Sequence, residues 1–414
     1  SMLRVAGLAP RRFARAMSSL GDPSSVVNLR TGHPEPGGLA EVGKLLSASV
    51  HNMADSLQSG DISGLEYGGA AGHGAFSLRE KLAGWVTQQD PTGVPCNPER
   101  ICVTSGISHG LDLLISAFAQ PGQVVIVEQP TYFLACAIFR ERGLAVESVP
   151  VDKDGLDVDA LEKHLQQRNG PSVRMLYTVP VNHNPTAATL PPERRRKLVD
   201  LARKHDFLVV ADEVYQFLDW HDPRSSIPRM VTYDDGYESG DGVVCAVHAL
   251  TKIVAPGLRV GWIEGAKNIV DKVANNPYLI SGGNSIPFTG AITERMVESG
   301  ALDTIVDGLV ENYRACAAAM VQILLEEGIA PRCIPLGGYF LWVDLPARVT
   351  GEAVLAKCAD VGVTVLAGQI CDPEKDAGET CRNSIRLCFA YQKVDVVELG
   401  TRRFCAAVKG ALEG

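Results

Sequence analysis

ALTKIVAPGLRVGW, residues 249–262, is the stretch on which the reading of this chain turns. Lys252 stands seven residues ahead of Arg259, with Pro256 and Gly257 between them. A strand-like run, GVVCAVHAL (242–250), leads in. An amine on a tight turn beside a fixed guanidinium suits a ligand that carries both an aldehyde and a phosphate. The amine condenses with the carbonyl, and the planar guanidinium takes the dianion. The same spacing also occurs on ordinary solvated surfaces, so the neighbouring segments decide.

Asp212 lies in FLVVADEVYQF (207–217), where an apolar run reads as a buried parallel strand ending on a carboxylate. Ligands of open α/β sheets sit at the carboxyl ends of strands. Pyridoxal phosphate carries the aldehyde and the phosphate, and its ring nitrogen needs an anionic partner to stay protonated; Asp212 is placed to be one. Tyr215 follows three residues on and Asn184 lies upstream in VPVNHNPTAATL (179–190). Either can hydrogen-bond the ring's phenolate oxygen. Asn184 follows a strand (RMLYTVP, 174–180) and precedes a helix opening at Pro191-Pro192. Each residue has a plainer reading: a helix N-cap for Asp212, a turn for Asn184, core for Tyr215. Their joint order is what favours the cofactor.

On these motifs the chain resembles the fold-type I pyridoxal-phosphate aminotransferases, and within them the kynurenine/2-aminoadipate branch, from about residue 28 to 391. The resemblance implies an α/β fold: a large domain (65–290) with a mainly parallel seven-stranded sheet, and a smaller α/β domain built from 28–64 and 291–414. It implies an enzyme that moves an amino group from an L-amino acid to a 2-oxo acid by a ping-pong route, with pyridoxal 5′-phosphate joined to Lys252. A related lyase, of the 1-aminocyclopropane-1-carboxylate-synthase or cysteine-conjugate type, would share Lys252, Asp212 and Arg386.

The resemblance also assigns the remaining site. ICVTSGISHGLDLLISAF (101–118) reads as strand, small-residue turn and helix, and Gly106, Ile107 and Ser108 would present backbone N–H groups to the phosphate. Thr251 and Arg259 would add to that cup. Tyr67, in LEYGGAAGHGAFSLREKL (65–82), would reach the phosphate of a neighbouring subunit, which implies a homodimer with shared active sites. Tyr132, in EQPTYF (128–133), would stack on the pyridine ring. Arg386, in NSIRLCFAY (383–391), would grip the substrate α-carboxylate from a strand that alternates as if half-buried. Gly32, in NLRTGHPEP (28–36), would lie close to the substrate. Tyr339, in LGGYFLWVDL (336–345), lines the side-chain pocket or belongs to the core. Two positions depart from the family pattern, which has a serine where Ala249 stands and often a polar residue where Ile107 stands. Each missing hydrogen bond to a charged group costs about 1.5–3 kcal/mol, so weaker cofactor retention is expected.

The composition fits this reading. Net charge is −9, from 39 basic and 48 acidic side chains, with no basic stripe interleaved with aromatics, which argues against nucleic acid as a partner. No apolar run reaches the ~18–20 residues of a membrane span. The 11 cysteines show no Cys-x-x-Cys pairing, which argues against structural zinc and a disulfide scaffold. Residues 1–27 read as an N-terminal arm or targeting segment: SMLRVAGLAPRRFARAMSSL is arginine-rich and acid-free, as a mitochondrial transit peptide is, so a cytoplasmic or mitochondrial location is expected. The acidic, glycine-rich TYDDGYESGDG (232–242) reads as a surface loop, and the stretch from 291 as one long helical segment.

Overall fold

The computed structural model describes residues 25–67, 72–221, 227–283, 286–374 and 380–413. The arginine-rich segment lies outside these residues. Short apolar, β-branched runs build the main sheet. Its strands are β1 (Ile101–Thr104), β2 (Val124–Gln129), β3 (Ala145–Asp152), β4 (Gly155–Leu156), β5 (Val173–Thr178), β6 (Leu208–Asp212), β7 (Val244–Ala249) and β8 (Gly261–Gly265). They lie in the order β1-β8-β7-β6-β5-β2-β3-β4. From β7 across to β3 all neighbours are parallel. β8 runs antiparallel to both of its neighbours. The sheet thus has one strand more than the expected seven: β4, a two-residue return that folds back onto β3.

Both faces of the sheet are covered, as a parallel sheet requires. One face, with Val125, Tyr177, Val210 and Val247, shares a core with helices α1 (Ile107–Phe118) and α2 (Phe133–Glu141). The other, with Ile126, Leu176, Val209 and Ala246, packs on α3 (Pro192–His205) and the helix Val158–Gln167. α3 opens at Pro192, where the paired prolines placed its start.

A second sheet holds β9 (Phe340–Asp344), β10 (Leu366–Ala367) and β11 (Ser384–Cys388) in the order β9-β11-β10, all antiparallel. The half-buried alternation expected around Arg386 gives way here. β11 is the central strand and is buried along its length. Ile385 and Leu387 face the main core, while the opposite face pairs Arg386 with Trp342 and Leu366.

Two further expectations are corrected. The long helical stretch divides into α4 (Pro287–Glu298) and α5 (Ala301–Glu326), because Gly300 takes a left-handed φ of 73° between them. The 232–242 segment is no simple surface loop. It contains a short helix, Gly236–Ser239, and buries Asp234 and Tyr237. The Asp234 carboxylate accepts the backbone N–H groups of Val243 and Val244, at 2.7 and 3.0 Å, at the entry to β7. Among the described residues no helix is long and apolar enough to cross a membrane.

β8 passes close under the turn that opens α1. A Cβ on Gly261 would lie 2.7 Å from the His248 carbonyl oxygen and 2.8 Å from Gly106 Cα, backbone atoms that cannot swing away. Gly261→Ala is expected to cost about 1–3 kcal/mol through overpacking. A thermal-unfolding midpoint equal to the parent's would refute that tight approach.

Candidate active site

Because β8 is antiparallel to both β1 and β7, strands β1, β2, β5, β6 and β7 all end at one edge of the sheet. The loops that leave those ends converge, as the crevice of an open α/β sheet demands. After β1 come Ile107 and Ser108, after β2 Tyr132, after β5 Asn184, after β6 Asp212 and Tyr215, and after β7 Thr251, Lys252 and Arg259. The second sheet adds Arg386, and the segment after the strand Val27–Asn28 adds Gly32. All of these line one cavity of about 340 Å³.

Three sequence-predicted residues stand off the wall. Gly106 lies just behind it, at the N-cap of α1 with φ 84°. Tyr339 is fully buried, and its hydroxyl donates to the Lys252 carbonyl at 2.7 Å, so it belongs to the core beneath the lysine. Tyr67 is exposed outside the cavity, with its ring over Gly282.

The Lys252 ammonium donates to the Gly32 carbonyl at 2.6 Å and lies 5.4 Å from the Tyr339 ring centroid. Burial brings its pKa down to about 8; the Arg386 and Arg259 guanidiniums push the same way, and Asp212 and the Cys388 thiol oppose them. An amine so placed is available as a nucleophile near neutral pH.

Asp212 is buried at the end of β6, and burial raises its carboxyl to about 6. The Tyr177 hydroxyl, donating at 2.7 Å, and the Val214 N–H, at 3.3 Å, keep it from rising further. Sequence reasoning passed over Tyr177, although it lies in a quoted strand. Its signal was a tyrosine inside an apolar strand, where a buried hydroxyl has to find a partner.

The Arg386 guanidinium is buried and held from three sides. Nη1 donates to Asn184 Oδ1 at 3.0 Å, Nη2 donates to the Arg30 carbonyl at 2.9 Å, and the Phe340 ring lies 4.0 Å from Cζ. Nε has no partner among the described residues. A buried donor left unmade is costly, and a planar carboxylate arriving at the cavity would satisfy it.

Arg259 sits in a left-handed turn, φ 54°, and its Nη2 donates to the Ser105 carbonyl at 2.9 Å. A Cβ on Gly106 would fall 2.5 Å from that same Nη2. The guanidinium thus lies against the start of α1, where free backbone N–H groups, the Ser108 and Thr251 hydroxyls and the helix dipole favour an anion. Ile107 reaches the cavity with an apolar side chain and Ala249 is buried at the end of β7, so neither adds a hydroxyl.

The residues present fit pyridoxal 5′-phosphate: a buried amine of lowered pKa, a buried carboxylate, an anion cup in which glycine is required, and a guanidinium nitrogen without a partner. Among the described residues no cluster of histidine, cysteine and carboxylate side chains could hold a metal ion.

Comparison with known proteins agrees. A family model described as aminotransferase class I and II matches residues 41–402. The aromatic-amino-acid aminotransferase 1 of Thermococcus litoralis is 28% identical over 403 residues, covering 95% of this chain and 91% of that one. The bovine (Bos taurus) mitochondrial kynurenine/alpha-aminoadipate aminotransferase is 25% identical, covering 94% and 93%. The crystal structure of Pyrococcus horikoshii kynurenine aminotransferase, solved with PMP, superposes with a TM-score of 0.82 at 27% identity, over 98% of this chain and 96% of that one.

The electrostatics of Lys252 set a pH dependence. The neutral amine is the reactive form, so below its pKa uptake of pyridoxal phosphate by cofactor-free protein is limited by proton loss. The uptake rate is expected to climb with pH to a midpoint near 8 and level off above it. Stopped-flow absorbance would show this. A midpoint close to the ~10.4 of a solvated lysine would contradict the buried environment.

Proposed function

The chain belongs to the class I and II aminotransferases, enzymes that use pyridoxal 5′-phosphate, and on that premise we propose how its residues divide the work and which substrates it takes. The observation that carries the assignment is the meeting of Lys252, Asp212 and Arg386 on one cavity wall. When bound, the cofactor supplies an aldehyde to capture the amino group and a ring to withdraw electrons from the α-carbon.

Lys252 would hold the cofactor through its amine and would take the proton from the substrate α-carbon. Its Nζ lies against the Gly32 carbonyl, which fixes the amine's approach. Asp212 pairs with the ring nitrogen and keeps a proton there. Tyr177 and Val214 orient the carboxylate for that task. Asn184 and Tyr215 would hydrogen-bond the ring oxygen, and Tyr132 would cover the ring. Arg259, Ser108, Thr251 and the first N–H groups of α1 hold the phosphate. Arg386 takes the α-carboxylate.

The rest of the wall points to the donor. Tyr132, Phe133, Leu134, Val179 and Phe340 give an apolar and aromatic lining. Among the described residues the lysines and arginines on it are Lys252, Arg259 and Arg386, each already assigned. The exposed Arg30 contributes its carbonyl, not its side chain. This lining supports aromatic and large apolar amino acids over a dicarboxylate such as 2-aminoadipate. The Thermococcus litoralis relative is named for aromatic amino acids, whereas the bovine one is named for both kynurenine and alpha-aminoadipate.

We also propose that the active form is a homodimer. Ile62, Leu65 and Tyr67 are exposed, as are Tyr278, Ile280 and Phe288, and the two segments touch where the Tyr67 ring overlies Gly282. An apolar patch of this kind marks a contact surface, and Tyr67 on it would reach a partner's phosphate site. Sedimentation velocity is expected to give a dimer for the parent protein and a monomer of low activity for Leu65→Asp/Ile280→Asp. A fully active parent monomer would rule the dimer out.

The reaction class has a direct test. Phenylalanine alone is expected to convert the cofactor's visible band to that of its amine form once, and then stop until a 2-oxo acid is added. Continued turnover without an acceptor would instead identify a lyase.

A further inference from the structure

The sheet has a second polar centre on the face away from the cavity. His248 is the penultimate residue of β7 and lies opposite Trp262 of β8. Val247, its neighbour, pairs with Asp212. The alternation of a strand therefore sends His248 and Asp212 to opposite faces. His248 is fully buried and stacks on the Trp262 ring, at 5.1 Å between centroids and 19° between planes.

Its Nε2 lies 3.5 Å from Glu213 Oε2 and 3.7 Å from Glu264 Oε2. Both carboxylates are fully buried, and neither of those oxygens has a hydrogen-bond partner among the described residues. A nitrogen lone pair aimed between two carboxylates would be repelled, so the geometry requires a proton on Nε2.

The surrounding charges ask for more than that. Glu264 also pairs with Arg229 and accepts the Tyr237 hydroxyl at 2.7 Å. Arg229 binds Asp90 at 2.7 Å as well. Glu213 accepts the Met230 N–H at 2.6 Å, and Arg195, held by the carbonyls of Leu190 and Pro228, faces it from α3. The Cys96 thiol near Glu264 is kept protonated by burial. The cluster then holds three carboxylates, Asp90, Glu213 and Glu264, against two guanidiniums, Arg195 and Arg229. A buried set of this kind needs one more proton to be balanced; burial raises the Glu213 carboxyl, and its Oε2 faces His248 Nε2 at 3.5 Å, so the imidazole and that carboxyl compete for the proton.

We propose that His248 holds this proton as a buried imidazolium and acts as a positioning residue for Asp212 and Lys252 from behind the sheet. The path is short. Glu213 follows Asp212 in the chain, and its N–H donates to the Val247 carbonyl at 3.0 Å. His248 precedes Lys252 by four residues. A positive charge there favours the ionised form of the Asp212 carboxyl and opposes protonation of nearby bases. The charge of His248 stands independently of the cofactor, whereas its effect on the cavity rests on the cofactor assignment above.

Two measurements separate these claims. In cofactor-free protein, NMR of 15N-labelled histidine at pH 7.5 is expected to show both ring nitrogens of His248 protonated, with the signal assigned through its coupling to the His248 backbone in the parent protein. A neutral ring overturns the proposal, even if the variants fail to fold. In the holoenzyme, the pH midpoint of the bound cofactor's visible band is expected to rise in His248→Asn, which removes a cation. It is expected to fall in Glu213→Gln, which removes an anion, each by about half a unit or more. Midpoints that stay put, or move in the same direction in both variants, overturn the positioning role. A merely structural lesion has no reason to give opposite signs.

Discussion

An amine and a carboxylate withdrawn from water at the ends of two adjacent parallel strands are the constraint on which this molecule depends. Burial drives both toward neutrality: Lys252 falls to about 8 and Asp212 rises to about 6. Neither charge would persist in an apolar interior without specific partners. The fold supplies them from different elements. β5 contributes the Tyr177 hydroxyl, the turn after β6 contributes the Val214 N–H, and the N-terminal segment contributes the Gly32 carbonyl. The parallel register between β6 and β7 is what delivers the two groups to the same edge. The anion cup at α1 and the Arg386 fork are arranged around that pair.

The second sheet is joined to the first through charge as well as through apolar packing. Arg386 rises from β11 and donates to Asn184, which follows β5 of the main sheet. Phe340, one strand over on β9, covers the guanidinium at 4.0 Å and would meet any side chain placed on Gly32. One aromatic ring therefore fixes both the cation and the close backbone approach beside it. Removing the Gly32 hydrogen in favour of a methyl would place that carbon 2.5 Å from the Phe340 ring.

Much of this was legible in the sequence. The strand ending on Asp212 followed from an apolar run stopped by a carboxylate, and the strands before Asn184 and Lys252 were read to within two residues of their ends at Thr178 and Ala249, whereas most of the remaining site residues came from the family resemblance. What escaped has physical causes. Tyr177 and His248 lie inside strands, where alternation assigns a face but does not say which groups of other strands share it. The burial of β11 depends on β9 and β10 flanking it, a long-range fact that local alternation cannot carry. The 232–242 segment looks like a loop in composition, yet Asp234 is drawn inward by two unpaired N–H groups at the entry to β7. The break at Gly300 was a single residue in an otherwise helical pattern.

The grip on Arg386 has a consequence for how the two sheets communicate. Nη1 already gives one of its two hydrogens to the Asn184 amide oxygen. An anion that drew Nη1 toward itself would compete for that bond, whereas one that took the unpartnered Nε would leave it in place. A single hydrogen bond thus ties a cation carried by one sheet to a loop that belongs to the other.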